Sequence, residues 1–467
     1  MSLPYLTLEK VSILPISLGS RNTRQRELSD TDLQFIVFQL HYPAMASRLA
    51  AVFRNRNILL LAFSGAMSQL GDRLSHMLLI TIIGVSNPGK LLAYSSGSLT
   101  FVLPTLILSP IAGVLVDHWN KRLTIARTHF LQTAVLALTP LAINLTHSYT
   151  PFWIALAIFF GLDIFNNTAN PALLPSLVQK DEILAANSIS LFFSRIATVL
   201  GMVIGGFLIK WVGWQKGIWI DATCHLIAGV IVLNIGLSPT SPQTATSITH
   251  PPAPFISLIT RAFIQFFRDL TEVIQLIFVN FTVAFVLTSI VISTFISAVA
   301  YTILIFLVQQ VLGMGTAGVG IFAGILAVGM IAGALLIGLL SSNISRPLIV
   351  TGVIIVYGIL FLIGYWLITL WFMILVALIA GIAFSWLGVV QNTMLQEEVD
   401  ERIRGRIFSS REFITNATFL STTLAIGTFG DLTSYRLALI FIGIALILFG
   451  ITGMALIHCR QRTGPKP

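Results

Sequence analysis

The chain is 467 residues long, 56% hydrophobic and only 10% charged, with 27 Lys and Arg against 18 Asp and Glu and a formal net charge of +9. A mean hydropathy of +0.91 excludes a soluble enzyme with one anchor, because folded soluble chains need a polar face on most elements; it also excludes a disordered chain or a nucleic-acid binder. In a bilayer the basic excess has another use, which is orientation.

The first fifty residues stand apart from the rest. Lys10 precedes a short apolar run, 11–18, that contains Pro15 and is followed by Arg21, Arg24 and Arg26, a poor secretory signal. Residues 1–52 therefore read as a cytoplasmic tail, disordered or lying on the surface, and Met45 would serve equally well as a start of translation. From there a ruler of about 20 apolar residues per crossing marks twelve spans, near 57–84, 92–116, 123–145, 151–174, 186–209, 216–237, 275–309, 317–341, 347–367, 369–393, 407–430 and 434–457. The seventh is too long for one straight crossing, so part of 255–278 or of 295–309 is expected to lie in the interface or to tilt. Between spans six and seven, 238–254 is rich in Ser, Thr and Pro and carries no charge, as a flexible linker would. The organisation expected is two six-helix halves, 53–237 and 275–457, joined by a cytoplasmic linker over 238–274 with an interfacial helix, and a cytoplasmic tail over 458–467.

With the N-terminus in the cytoplasm, 21 of the 27 Lys and Arg fall on the inner side. Four fall outside, Lys90, Lys210, Lys216 and Arg436, while Arg73 and Arg195 lie within spans. Both termini are therefore expected to be cytoplasmic, in a membrane of the bacterial inner-membrane type.

Two faint internal repeats support duplication. The stretch 175–182 after span four answers 396–401 after span ten at an offset of 221, and Gly113 to Arg122 after span two answers Gly338 to Arg346 after span eight at an offset of 225. Parallel six-helix repeats are a transporter design in which two halves rock about a central site.

At these residues the pattern resembles a known family. Gly113-x3-Asp117-x3-Lys121-Arg122 is similar to the loop between helices two and three of the major facilitator superfamily. Three further stretches carry the resemblance: Asn55-Arg56-Asn57 with Gln69 to Arg73, Asn170-Pro171-Ala172 to Pro175 with Ala185-Ala186-Asn187-Ser188, and Leu395-Gln396 with Gly405-Arg406-Ile407-Phe408-Ser409. Together they resemble the bacterial branch containing the enterobactin exporter and the macrolide-efflux-like permeases. The departures are Lys121 where the signature usually has arginine, Ser342 where its second-half counterpart would have an acid, and no recognisable helix-four arginine motif in 159–171. The resemblance implies an all-α membrane protein of twelve transmembrane helices in two pseudo-symmetric halves, exporting a small amphipathic compound at the expense of the proton gradient.

Ionisable groups inside spans are costly in a membrane, so each is a candidate for function. These are Asp72 and Arg73 in span one, Asp163 in span four, Arg195 in span five and Asp221 in span six. Asp72 and Asp163 are the best candidates for proton coupling, with Arg73 and Arg195 as counter-charges or anion anchors. Asp72 and Arg73 diverge by about 100° on a helix, so either could instead lock helix one to a neighbour. Asn166, Asn167 and Asn170 follow Asp163 as a polar stripe that faces either a cavity or a seam between helices. Gly113, Asp117, Lys121 and Arg122 read as a cytoplasmic gate, with Arg406 and Arg411, or Arg402 and Arg404, as partners from the other half. Gly201, Gly205 and Gly206, and Gly329 and Gly333, would let helices approach closely. Phe159, Phe160, Phe165, Phe192 and Phe193 could line a cavity or pack elsewhere, and Trp211, Trp214 and Trp219 read as an interface belt.

Cys224 and Cys459 are isolated, and no HExxH, GxSxG or Walker-type loop occurs. No metal, cofactor or enzymatic activity is expected, and no nucleic acid. The expected partners are a small-molecule substrate, protons and the bilayer, with the chain acting as a monomer. A lysophospholipid or lipid-like flippase on the same fold, and a non-transporting membrane sensor or assembly factor, are the alternatives.

Overall fold

The computed structural model describes residues 52–179, 182–236, 255–340, 345–399 and 401–463. The N-terminal tail with Met45, the 238–254 linker, Lys180, Ser342, the surroundings of Gly338, and the side chains of Arg402, Arg404 and Cys459 lie outside what is described. Among the described residues the long elements are all helices: α1 Arg56–Ser86, α2 Leu91–Ser96, α3 Leu99–His118, α4 Lys121–Thr146, α5 Thr150–Leu173, α6 Ile183–Val212, α7 Trp214–Leu233, α8 Phe255–Val279, α9 Phe281–Phe306, α10 Gly315–Leu340, α11 Arg346–Trp366, α12 Leu370–Glu398, α13 Glu401–Leu432 and α14 Tyr435–Thr463.

Helix starts follow from capping side chains. Asn55 accepts from the amides of Asn57 and Ile58, Asn120 from Leu123, Asn280 from Thr282 and Val283, and Thr369 from Phe372, each occupying a donor that a helix leaves unpaired. The Asn280 cap divides the overlong seventh stretch, so that α8 is a helix of its own and α9 a separate span. Gly213, at φ 81°, turns α6 into α7. Pro104, Pro110, Pro140 and Pro171 sit inside helices, as helices in a membrane tolerate when neighbours satisfy the freed groups.

Among the described residues ten helical segments, with α2 and α3 counted as one, are long and apolar enough to cross a membrane. Of the twelve expected spans, α1 and α13 fall short of that measure. The physical reason is the polar load on α1, where Ser64, Ser68, Asp72 and Ser75 are all buried, and the charged first turns of α13. Helix α8 is also absent from the ten: it alternates Arg261 and Arg268 with Ile264 and Phe267, and it packs on α3, α9 and α13.

The helices form two groups. In the first, α1 packs on α6 and α7, α4 on α5 and α7, and α3 on α5; in the second, α10 packs on α12, α11 on α14 and α12, and α9 on α13 and α12. Contacts between groups run through α6 on α10 and through α2 and α3 on α13. One end of the bundle, called here the basic end, carries Arg54, Arg56, Lys121, Arg122, Arg346 and Arg406; the opposite, far end carries Lys90, Trp211, Trp366 and Asp431. A large apolar core runs without a break from the first group into the second, joining Leu78, Tyr94 and Ile218 to Val299, Phe306 and Ile354. A smaller core of Ile58, Leu61, Ile125, Leu173, Ala186 and Val232 stays within the first group at the basic end.

Candidate functional site

Between the two groups of helices lie adjoining cavities of opposite character. An apolar chamber of about 490 Å³ is walled by side chains of both groups, among them Met77, Phe101, Met202, Tyr301, Phe322 and Phe419. A polar pocket of about 360 Å³ opens beside it, bordered by Gln69, Asp72, Asp163, Asn167, Glu412 and Asn416. Arg73, His76 and Phe101 line both. Aromatic rings from both groups converge on this partition: His76 lies 5.0 Å from Phe101 and 4.9 Å from Phe160, and Phe101 lies 5.9 Å from Tyr301 and 6.2 Å from Phe419. The shape suits a ligand with a large apolar body and a small polar end, in a volume typical of small-molecule sites.

The ionisable candidates do not all meet. Asp163 faces the polar pocket, where Asn167 donates to its Oδ2 at 2.7 Å while Oδ1 is buried without a partner. Asn166 turns the other way and donates to Ser68 on α1 at 3.2 Å, and Asn170 lies beside Gly65 of the same helix. The polar stripe thus splits, because i and i+4 share the cavity face whereas the residues one place earlier point at the α1 seam. Arg73 Nη2 donates to Gln69 Oε1 at 3.4 Å, and its Nε has no partner. Gln69 in turn donates to Asp72 Oδ2 at 3.1 Å and accepts from Thr198 of α6 at 3.2 Å, which holds the side chains of one α1 face in register. Arg195 is exposed and borders neither cavity, so it does not join this set.

Asp221 is fully buried within the first group, away from both cavities, where Ser75 of α1 donates to its Oδ2. His225, one turn further on, sits with its Nε2 3.4 Å from Asp221 Oδ1 and 3.8 Å from Asp72 Oδ1. His129 of α4 lies against the other face of His225, with 3.4 Å between the two Nδ1 atoms. Phe159 closes the cluster edge-on, its centroid 4.9 Å from that of His225. Gly71 has no space for a side chain here, since a Cβ would stand 2.4 Å from His225 Nε2.

The signature-loop residues lie at the basic end. Arg122 donates to the carbonyl of Ile235 at 2.7 Å, Lys121 Nζ stands 3.5 Å from the carbonyl of Asp117, and the Asp117 side chain is exposed. Arg406 pairs instead with Glu272 at 2.9 Å and Asp269 at 3.6 Å on α8, and Arg411 donates to Asn392 at 2.6 Å. Among the described residues no ion pair joins Asp117 to Arg406 or Arg411. A Cβ at Gly113 would meet nothing within 4 Å, so nothing crowds this loop.

The far end is where the two groups close. The Asp431 carboxylate accepts from the amides of Leu91 at 2.7 Å and Leu92 at 3.1 Å, capping α2 across the seam. A π-helical turn over Leu307–Val311 turns Gln309 and Gln310 toward Tyr94, whose hydroxyl bonds both. Thr81 meets Thr316 at 2.7 Å, and Ser98 meets Thr423 at 2.9 Å. Backbones touch where Gly206 faces Gly320, and a Cβ at Gly320 would come within 2.7 Å of the Met202 carbonyl. Gly201 and Gly205 instead admit α1 against α6, and Gly329 and Gly333 admit α12 against α10. Of the aromatic candidates, Phe160 reaches the polar pocket, Phe159 is buried on His225, Phe165 packs on Trp119, and Phe193 on Phe63. Phe192, Trp211 and Trp219 are exposed, and Trp214 packs on Tyr149.

Sequence reasoning missed His129, Gln132, Gln309, Gln310, Tyr94 and Asp431 as a set. The signal that points to His225 is its place four residues after Asp221, on the same helix face.

The sequence profile of the Major Facilitator Superfamily matches residues 55–356 and 286–467. An uncharacterised MFS-type transporter of Sinorhizobium fredii, y4rN, is 27% identical over 210 residues, covering 43% of this chain and 50% of that protein. The uncharacterised MFS-type transporter YfiS of Bacillus subtilis is 24% identical over 39% of this chain and 43% of its own length. The chain thus spans about half the length, or less, of the curated relatives it matches. Among solved structures, the peptide transporter POT superposes with a TM-score of 0.67 at 13% identity over 87% of this chain and 95% of that one. The nucleoside transporter NupG does so at 0.64 and 14% over 86% and 99%. At such identities the likeness is one of fold.

Proposed function

Since the chain belongs to the major facilitator superfamily and is a multi-pass membrane transporter, we propose that it exports a small amphipathic compound from the cytoplasm, driven by protons, by rocking its two six-helix halves about the central cavities. The observation that carries this reading is the pairing of a large apolar chamber with a polar pocket at one partition, Arg73 and His76, between halves that meet closely at the far end. A sugar would call for many polar contacts; the chamber offers few. In this reading the basic end is cytoplasmic, and the structure corresponds to the state open toward it. Asp163 exchanges the coupling proton from the polar pocket. Asp117, Lys121 and Arg122 close on the Arg406 and Arg411 side of the other half only in the opposite state.

The apolar lining also suits a lysophospholipid-like cargo, which is the second reading. A thermal-shift panel of amphipathic amines, hydrophobic drugs and lysophospholipids finds a ligand by the stabilisation it confers, and uptake of the best stabiliser into proteoliposomes is then followed with and without an imposed pH gradient. Gradient-driven accumulation of a non-lipid compound supports the export reading. Gradient-independent movement of lysophospholipid would replace it.

A further inference from the structure

We propose that the buried group of Asp72, Asp221, His225 and His129 is a proton-binding site of its own, set behind the cavities and loaded through Asp72; this rests on the proton-coupled reading above and names where the proton is kept.

The hydrogen-bond pattern fixes the direction of the group. Gln132 Nε2 donates to the carbonyl of Phe159 at 3.3 Å, which turns its Oε1 toward His129. His129 Nδ1, 3.1 Å from that oxygen, must therefore be the protonated nitrogen. It also faces His225 Nδ1, so that nitrogen presents a lone pair, and the proton of a neutral His225 is on Nε2. Nε2 points between Asp221 Oδ1 and Asp72 Oδ1, and all three atoms are buried without a hydrogen-bond partner at normal distance. Three unsatisfied polar atoms converging in a dry interior are costly unless a proton is shared among them. One chain end is blocked, because the Gln132 amide terminates on backbone. The other is open: Asp72 borders the polar pocket.

The charged groups around the site are few. From α1 come Asp72 and Arg73, the latter turned into the cavities; from α4, His129; from α5, Asp163 across the pocket; and from α7, Asp221, His225 and the half-buried thiol of Cys224 beside Asp221. Arg195 of α6 is exposed. Asp221, His225 and His129 all belong to one group of helices, whereas the pocket on the open side of Asp72 includes Glu412 and Asn416 of the other. Rocking therefore alters only the surroundings of Asp72, which is what a loading gate in front of a fixed store requires.

The test is a pH titration of the full chain in nanodiscs, with spin labels at Lys90→Cys and Arg436→Cys across the far end and Cys224 and Cys459 replaced by Ser. The wild-type sequence is expected to shift its distance distribution between about pH 5 and pH 8 with one midpoint. Asp221→Asn and His225→Gln should each cut the amplitude of that shift at least about tenfold, whereas Arg195→Gln, at an exposed position that borders neither cavity, should keep it. Ser75→Ala, a milder change that protects against misfolding of the others, should displace the midpoint and leave the amplitude. A titration unchanged in Asp221→Asn, His225→Gln and Ser75→Ala, one abolished by Asp163→Asn alone, or a wild type insensitive to pH would each overturn the assignment. Absence of gradient-driven transport by the wild type, with the titration intact, would instead overturn the proposed coupling and leave the proton site standing.

Discussion

At the far end the two groups of helices meet through backbone contact and short polar bonds, whereas at the basic end the first group has a core of its own and the charges pair within each side. Gly206 against Gly320, Asp431 on the start of α2 and the paired glutamines on Tyr94 all cross the seam. At the basic end Arg122 bonds within its own group, Arg346 pairs with Glu397 in the other, and Arg406 is taken by α8. The lesson is that the far seam depends on close fit, which small changes in volume disrupt, whereas the basic end carries charges that are exposed, individually weak and satisfied without crossing from one group to the other.

The comparison is broken most severely by adding volume to the tight seam. Gly320→Leu should prevent closure of the far end, because overpacking against a backbone carbonyl costs about 1–3 kcal/mol, enough to shift the closed population by about fivefold to about 150-fold; distances across the far end would lengthen. The control, Gly113→Ala at the uncrowded basic end, should leave them unchanged. Asp163→Asn should abolish gradient-driven transport while melting temperature and ligand stabilisation stay near wild type, and transport that persists would remove Asp163 from coupling. A weaker effect is expected from Asp431→Asn, which keeps the shape but loses the charge on the α2 amides; at about 1 kcal/mol it should open the far end by roughly fivefold, read by cysteine accessibility at Leu92→Cys. Asp117→Ala should be the mildest, with less than about 0.5 kcal/mol lost in thermal unfolding, yet with slower cycling and greater labelling of a cysteine at Trp119. No change in that labelling would argue against a gate.

The span pattern was legible because a bilayer imposes one length and one composition on every crossing. Asn280 is the boundary that the apolar pattern hides: the overlong stretch announces a break, but its place is set by one polar residue whose side chain is a good helix cap. The site was legible only residue by residue. Asp163 and Asn167 could be placed together from their spacing, but the split of the stripe depends on where α1 packs. The convergence of Asp72 on Asp221 and His225 depends on α1, α4 and α7 being neighbours, which no local pattern states. The partners of the proposed gate are the least legible, since residues that would meet in only one of two arrangements of a bundle leave no mark on helix periodicity.

The central claim is that the two ends open in alternation. It is tested most directly by measuring two distances in the same nanodisc preparation, Lys90→Cys to Arg436→Cys across the far end and Trp119→Cys to Arg346→Cys across the basic end, as pH and a stabilising ligand are varied. The account predicts that the far-end distance lengthens whenever the basic-end distance shortens. Distances that remain fixed under every condition, or that lengthen together, would contradict it.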